Sequence, residues 1–343
     1  MNHPNPTPQA PFWTRVAKRP STWFALVGAI AIGTVTMQVR AGAHLFDQGE
    51  AAYSSQDCDA AIALFDQLIE NQPPMDMDDW IRRAEARKAE CGAFQTVMAD
   101  QNSQSEAQTL VDVSQFLERY PNTELAIPLR KLITTADDGE AMTALSTVEV
   151  CDRLPTITTQ RLMLNADTQL PLMLQSCGNV YSEQENFDQA IAVYTQFGEQ
   201  YPDHEQASVV EAALAKTMVA QANTFNPGTI PPPPVSGYTG DGTTVVTIRN
   251  DSPEAMRIVL SGEVPQFQEL PPCTDCTSFV GDAPSSCPEK GPEATFVLDP
   301  GQYDVLVRST SGSYVTPFTG KWNLNPGHEY YNCFYLVQTP GVS

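Results

Sequence analysis

The sequence predicts three parts in one chain: a single transmembrane helix, an all-α helical-repeat region and a small all-β, sandwich-like domain. An uncharged apolar segment near the N-terminus indicates the first part, and apolar residues at helical spacing indicate the second. Short alternating segments separated by Gly and Pro turns indicate the third. The expected boundaries are a cytoplasmic tail at 1–19, a transmembrane helix at 20–40, helices at 41–225, a proline-rich linker at 226–242 and the β-domain at 243–343.

Residues 20–39 carry no charge and lie between Arg19 and Arg40. At about 1.5 Å of rise per residue, such a helix reaches the roughly 30 Å thickness of the hydrocarbon core of a bilayer. Basic residues precede the segment and acidic sequence follows it, so the positive-inside rule predicts a cytoplasmic N-terminus and an exported, periplasmic remainder. The A-x-A pattern at 41–43 leaves cleavage before His44 open, which would release the protein instead of tethering it.

The net charge of the chain limits the classes of possible partner. The chain has 343 residues, with 41 acidic and 19 basic side chains and a formal net charge of −22. The first 40 residues contain no Asp or Glu, so the rest of the chain carries all of the acidic groups. A strongly negative field repels nucleic acid and anionic lipid head groups, which argues against nucleic-acid binding as a function class.

An internal repeat is the most informative pattern in the helical region. Small, aromatic and proline residues recur at one constant spacing. The matched positions are Leu45, Gly49, Ala52, Ala61, Ile62, Phe65 and Pro73, then Leu174, Gly178, Tyr181, Ala190, Ile191, Tyr194 and Pro202. A helical hairpin explains the pattern, because small residues on two helices permit close approach, a large residue fills the space beside them, and proline ends the second helix.

These offsets resemble the tetratricopeptide repeat. The segments FLERYPNTELA (116–126) and FGEQYPDHEQA (197–207) are similar to a form typical of bacterial envelope proteins, such as the Tol–Pal coordinator and the outer-membrane-protein assembly lipoproteins. The resemblance covers 43–75 and 174–222, and it implies a helical array that binds protein or peptide partners in a groove. Residues 76–170 read as diverged helices, so the number of repeats stays open.

The cysteine count predicts disulfides, because it is even and the chain is expected to be exported. The candidates, four in each half, are Cys58, Cys91, Cys151, Cys177, Cys273, Cys276, Cys287 and Cys333. Antiparallel neighbouring helices would bring Cys58 to Cys91, and Cys151 is expected to pair with Cys177. The pairing of the C-terminal four stays open, and the C-x2-C at 273–276 also fits a zinc site or a thiol–disulfide redox site.

The C-terminal third changes character. Residues 226–242 contain four consecutive prolines, which are typical of an extended, semi-rigid spacer. Residues 243–343 alternate apolar and polar positions between turns, as in an antiparallel β-sandwich. Aromatic residues are frequent there, and any that are exposed, with Trp322 as the test case, are candidates to stack on sugars.

The sequence contains no catalytic constellation. No G-x-S-x-G, P-loop, dinucleotide fingerprint or H-E-x-x-H occurs, and the four histidines lack a second ligand at helical spacing. We therefore predict a non-enzymatic, membrane-anchored scaffold or adaptor of the cell envelope, without a cofactor, that binds protein or peptide partners through its repeats. The alternatives are a glycan- or cell-wall-binding protein acting through the β-domain, and a redox or metal protein using Cys273 and Cys276.

Overall fold

A computed structural model describes most of the chain, with side chains described from Met37 onward. The described residues are 20–71, 78–100, 104–133, 139–162, 166–311 and 315–338. The expected cytoplasmic tail at 1–19 lies outside them. The chain divides into two compact units, Met1–Ser105 with Asp112–Ile133, and Glu106–Val111 with Thr134–Ser343.

Helices fill the described residues up to Asn223. In chain order they are α1 (Pro20–Ser54), α2 (Cys58–Glu70), α3 (Asp78–Asp100), α4 (Glu106–Arg119), α5 (Ala126–Arg130), α6 (Gly139–Leu145), α7 (Val148–Cys151), α8 (Leu154–Thr159), α9 (Ala166–Glu183), α10 (Phe187–Gln200) and α11 (Ala207–Asn223).

The predicted transmembrane helix at 20–40 is wrong. The apolar segment does form a helix, but α1 has 35 residues and continues past Arg40 into the polar sequence of the first repeat. Among the described residues, no helix combines the length and the apolar character that crossing a bilayer requires. The single-transmembrane-helix part of the predicted fold class is therefore corrected, whereas the helical repeats and a β-rich C-terminal region are present.

Two hairpins of the helical part, α1–α2 and α9–α10, have the same turn. Between α1 and α2, Gln56 has a left-handed φ of 66°, and the Asp57 amide donates to the Ala52 carbonyl at 3.0 Å. Between α9 and α10, Glu185 has a φ of 59° and the Asn186 amide donates to the Tyr181 carbonyl at 2.8 Å. Both hairpins therefore reverse the chain through one left-handed residue and one six-residue hydrogen-bonded loop.

Strands fill the described residues from Gly228 onward. They are β1 (Gly228–Thr229), β2 (Val235–Tyr238), β3 (Thr244–Asn250), β4 (Met256–Ser261), β5 (Gln266–Leu270), β6 (Phe279–Val280), β7 (Glu293–Leu298), β8 (Gly301–Ser309), β9 (Phe318–Leu324), β10 (His328–Phe334) and β11 (Val337–Gln338). One sheet has the order β1-β9-β8-β4-β5, a second has β2-β10-β3-β7, and β6 pairs with β11.

The two larger sheets enclose one apolar core. Alternate residues of β3 are buried, as period-two strands require when one face is covered. The core includes Ile248, Ile258, Val305, Trp322 and Tyr330, which come from both sheets. The C-terminal region is thus sandwich-like, with most strand pairs antiparallel and β10 parallel to β3.

The proline-rich segment connects the two sheets. β1 pairs with β9 in one sheet, and β2 pairs with β10 in the other. The four prolines at 231–234 lie between these two strands. Because proline has no N–H to donate, it suits the stretch where the chain leaves one ladder and has not yet joined the next. Residues 226–242 therefore contribute strands to the sandwich, and their boundary as a separate linker stays a prediction.

Helix α11 packs against the five-stranded sheet. Ala215, Met218 and Val219 of α11 form a buried cluster with Val259 of β4 and Leu306 of β8. These residues lie on the face of the sheet opposite to the sandwich core. The sheet therefore covers a helix that, in a longer repeat array, would face the next hairpin.

Candidate protein-interaction surface

The repeat signature residues form the centre of each hairpin. Gly49 faces Phe65, and Gly178 faces Tyr194, so closely that an added Cβ would lie 2.8 Å from Phe65 Cδ1 or 2.6 Å from Tyr194 Cδ1. Both rings are buried, as are Ala61 and Ala190 on the second helices. Pro202 lies in the turn after α10, whereas Pro73 lies outside the described residues.

The two F-x3-Y-P segments, at 116–121 and 197–202, also share one local structure. The Tyr120 amide donates to the Phe116 carbonyl at 2.9 Å, and the Tyr201 amide donates to the Phe197 carbonyl at 2.8 Å. Each pair of rings is in contact, with centroids 5.0 and 5.8 Å apart. In each case the tyrosine directly follows the last helical residue and precedes a proline, as the F-x3-Y-P spacing predicts.

Helices α1 and α3 form an arginine–aromatic face, which we define as Phe46, Glu50, Tyr53, Trp80, Arg83 and Arg87. Phe46 and Tyr53 are buried, and the two arginines lie over them. The rings of Phe46 and Trp80 stack with centroids 5.9 Å apart. Arg83 lies 4.6 Å above the Phe46 ring and Arg87 lies 4.0 Å above the Tyr53 ring. Cation–π contacts of this kind hold guanidinium groups in place without consuming their hydrogen-bond donors.

Acidic residues set the electrostatics of this face. Glu50 accepts from Arg83 Nη2 at 3.5 Å and from Arg87 Nε at 3.4 Å. Both distances are long, and the Arg83 side chain is 51% exposed. Exposed ion pairs with such geometry contribute about 0–1 kcal/mol, so another carboxylate or amide could displace them at little cost.

A buried carboxylate anchors the inner part of the face. Glu90 accepts from Tyr53 Oη at 2.7 Å and from Arg87 Nη1 at 3.0 Å. Burial and the nearby Glu90 raise the pKa of Tyr53 despite the Thr123 hydrogen bond. Burial opposes the charge of Arg87, but Tyr53, Glu90 and Glu50 outweigh it and raise the pKa of Arg87. Arg87 is therefore held in place as a cation by its contacts, whereas the exposed Arg83 is free to exchange its ion-pair partner.

Helices α9 and α10 of the second hairpin contain no lysine or arginine, and the single basic residue of α11, Lys216, is exposed. Tyr194 Oη donates to Asn179 Oδ1 at 2.6 Å, and Tyr181 Oη donates to Asp152 Oδ1 at 2.7 Å. Burial, and then Glu183, raise the pKa of Tyr194 to about 12, so this phenol keeps its proton over the physiological range. These hydroxyls are committed to contacts inside their own unit, which leaves the arginine–aromatic face of α1 and α3 as the stronger candidate.

The eight cysteines form four pairs at disulfide distance. Cys58 pairs with Cys91 and Cys151 pairs with Cys177, with Cα atoms 5.2 and 5.4 Å apart. In the β-rich region Cys273 pairs with Cys276 and Cys287 pairs with Cys333. The described residues contain no cluster of three or more His, Cys, Asp or Glu side chains arranged to hold a metal. The zinc alternative therefore has no free thiolates at 273–276.

Four aromatic residues of the β-rich region, Phe296, Tyr303, Trp322 and Tyr330, are buried in its core. Trp322 is 1% exposed, and Tyr303 and Tyr330 are also buried. Trp322, on which the test of a sugar-stacking surface rests, is therefore unavailable for it. Tyr238, at 75% exposure, is the most open aromatic residue among the described strands.

Sequence reasoning missed a buried polar cluster at Asn250, Asp251 and Ser252. Asp251 accepts from the amides of Glu289, Lys290 and Gly291 at 2.8–3.1 Å. Asn250 Nδ2 donates to two carbonyls at 2.8 Å. Three consecutive polar residues after an alternating strand were the available signal, because buried side chains of this kind normally fasten loops. The cluster holds the disulfide-bearing loops and is structural.

Comparison with known families agrees with the hairpin geometry. Residues 45–74 and 178–204 match the tetratricopeptide repeat. No curated protein matches the chain. The matched residues coincide with the two hairpins built on Gly49–Phe65 and Gly178–Tyr194. The chain therefore carries tetratricopeptide repeats, a class of helical array that generally mediates protein–protein interaction and is generally non-enzymatic.

Proposed function

We propose that this protein is a non-enzymatic scaffold of an extracytoplasmic, envelope compartment, and that it binds a protein or peptide partner through the arginine–aromatic face. The observation that carries the proposal is the exposed Arg83 beside the fixed Arg87 and the Phe46–Trp80 stack. Arginine and tryptophan are enriched at the centres of protein interfaces, because they combine apolar area with directed hydrogen bonds. Arg83, Arg87 and Trp80 are the accessible groups of this face, since Phe46 and Tyr53 are buried.

The cysteine pairs support the proposed compartment. Eight cysteines in four pairs fit an oxidising environment, since disulfides in ordinary cytosolic proteins are reduced. We expect alkylation of the protein, taken directly from cells under denaturing conditions, to modify none of its cysteines before reduction. Rapid modification of all eight would contradict an extracytoplasmic location.

Two neighbouring arginines give a matched test of the partner site. Arg83→Glu reverses the charge of the exposed cation, whereas Arg82→Glu changes an arginine that is 78% exposed and pairs only with Asp79 among the described residues. We expect a partner that co-purifies with the wild-type chain, identified by mass spectrometry, to be lost with Arg83→Glu and kept with Arg82→Glu. Equal retention by both variants would place the partner site elsewhere.

A further inference from the structure

The four disulfides differ in how accessible their sulfur atoms are. Both cysteines are buried in each of the two pairs of the helical part. In each pair of the β-rich region one cysteine is partly exposed, Cys276 in one pair and Cys287 in the other. Thiol–disulfide exchange requires a thiolate to reach a sulfur atom, so only the two pairs of the β-rich region are open to it.

The two accessible pairs differ in the length of chain that they close. Cys287 and Cys333 have a sequence separation of 46, whereas Cys273 and Cys276 have a separation of 3. A cross-link restricts the unfolded chain less when it closes a shorter loop, so opening the shorter pair costs less stability of the fold. The pair of Cys273 and Cys276 is therefore the one that can be reduced and re-formed while the β-rich region stays folded.

Other contacts hold the chain on both sides of this pair. Before the turn, the Cys273 amide donates to the Ser252 carbonyl at 2.9 Å. After the turn, the Phe279 amide donates to the Leu336 carbonyl at 2.8 Å, and β6 pairs with β11. None of these contacts involves a sulfur atom, so reduction leaves the flanking segments held and keeps Cys273 in place to re-form the bond.

The turn that carries the pair is open to a protein partner. Pro271, Thr274 and Asp275, which lie beside the two cysteines, are exposed. Helix N-termini and neighbouring cations favour a thiolate that attacks other molecules. This pair lies between β5 and β6, and residues 263–289 contain no lysine, arginine or histidine. The attacking thiolate therefore belongs to the partner, and this chain supplies the disulfide that is attacked.

We infer that the Cys273–Cys276 disulfide is a thiol–disulfide exchange site, oxidised at rest, that a partner dithiol reduces. The partner's thiolate attacks the accessible Cys276 Sγ and forms a mixed disulfide, and the electron pair of the broken bond goes to Cys273 Sγ, which takes a proton from water. The partner's second thiolate then attacks its own sulfur in the mixed disulfide and releases Cys276, which is also protonated. The pair gains two electrons and two protons, and the partner becomes a disulfide.

The same geometry selects a dithiol over a monothiol. In a mixed disulfide with a monothiol, Cys273 lies beside Cys276 and re-forms the original bond before a second molecule arrives, because an intramolecular attack has a high effective concentration. A dithiol carries its second thiol with it and competes with Cys273. The inference does not depend on the repeat surface.

The test uses the oxidised full chain, treated under native conditions with dithiothreitol, then with an alkylating reagent, and mapped by mass spectrometry. We expect Cys273 and Cys276 to be alkylated at least about tenfold faster than the other cysteines, with circular dichroism unchanged. Reduced glutathione at the same thiol concentration should give at least about tenfold less alkylation of this pair. Earlier reduction of another pair, no reduction of this pair, equal reduction by glutathione, or loss of the circular dichroism signal on reduction of this pair would overturn the inference.

Two matched variants test which sulfur is accessible to a partner. Cys273→Ser leaves the partly exposed Cys276 as a thiol, whereas Cys276→Ser leaves the buried Cys273. We expect Cys276 to form a mixed disulfide with oxidised glutathione at least about tenfold faster than Cys273 does, because access limits the reaction. Peptide mapping of the three other disulfides and circular dichroism check that both variants keep the wild-type fold. Equal rates, or a faster reaction of Cys273, would also overturn the inference.

Discussion

The same central contact occurs in the hairpin of α1 and α2 and in the hairpin of α9 and α10. The helices that follow the two hairpins, α3 and α11, differ. In each, a glycine on the first helix lies against a buried aromatic ring on the second. In each, a glutamine on the third helix donates to an aspartate near the start of the second, Gln95 to Asp59 at 2.7 Å and Gln221 to Asp188 at 2.6 Å. The two hairpins differ in the outer surface of the following helix, α3 in the first and α11 in the second.

Helix α3 is rich in charged residues and is fastened by the Cys58–Cys91 disulfide and by ion pairs to Glu50 and Asp66. Helix α11 contains two charged residues, Glu211 and Lys216, and is buried against the five-stranded sheet. The position equivalent to Cys58 in the second hairpin is Phe187, so no disulfide joins α10 to α11. The disulfide of the second hairpin instead joins Cys177 of α9 to Cys151 of α7.

The difference shows two ways to stabilise a short repeat. The helix that follows each hairpin has an outer face that no further repeat covers. That face must be polar or be covered by another element. The first hairpin keeps the face polar and limits unfolding with a disulfide, which leaves its arginines open to a partner. The second hairpin gives the face to a β-sheet, so its helix is structural.

Removing the disulfide from the first hairpin should have the largest effect. Cys58→Ser combined with Cys91→Ser opens a loop with a sequence separation of 33, and we expect the free energy of unfolding to fall by about 3 to 4 kcal/mol. The matched double variant, Cys273→Ser with Cys276→Ser, opens a separation of 3 and should cost less. Denaturant unfolding followed by circular dichroism measures the free energy of unfolding of both variants. Equal losses would show that the entropy of the unfolded chain does not explain the stabilisation by the Cys58–Cys91 disulfide.

Cutting the contact between α11 and the sheet should have the next largest effect. Leu306→Ala removes a fully buried side chain that packs on α11, and we expect a loss of about 3 kcal/mol. Hydrogen exchange of the α11 amides should accelerate in this variant, whereas Val297→Ala, on an exposed site, should leave it unchanged. Unchanged protection of α11 in Leu306→Ala would show that α10 alone supports the helix.

Glycine substitutions test whether the two central contacts are equivalent. Gly49→Ala and Gly178→Ala each push a methyl group into a buried ring, and we expect each to cost about 1 to 2 kcal/mol after the gain in helix propensity. Gly92→Ala on α3 and Gly198→Ala on α10 meet nothing within 4 Å, so both should stabilise the protein by up to about 1 kcal/mol. Thermal melting shows whether each variant is more or less stable than the wild type. Stabilisation by Gly178→Ala would show that the two central contacts are not equivalent.

Local patterns were enough to predict the hairpins. The spacing of Gly49, Ala61 and Phe65 reflects contacts within about 20 residues, and the same spacing around Gly178 produces the same turn. The placement of Cys58 beside Cys91 follows from the same antiparallel geometry. The candidate face was not predicted residue by residue, because Arg83 and Arg87 resemble ordinary exposed helix residues until α1 brings Phe46 and Tyr53 beneath them.

Apolar and proline-rich segments were harder to interpret. The apolar run from residue 20 satisfies a membrane criterion when it is considered alone, but the helix that contains it extends to Ser54 and its last turns are part of the first repeat. Four prolines have the same extended conformation in a free spacer and in a strand that changes sheets. Only the neighbours, β9 on one side and β10 on the other, distinguish the two.

The sequence by itself determined the two helical hairpins, the β-rich C-terminal region and the even set of cysteines, because each depends on periodicity, turn residues or count. The tertiary structure alone decided which cysteines of the β-rich region pair and that α11 lies on a sheet. Those features depend on contacts between residues far apart in the chain, and the free energy of such contacts is set by burial and register, which no local pattern records.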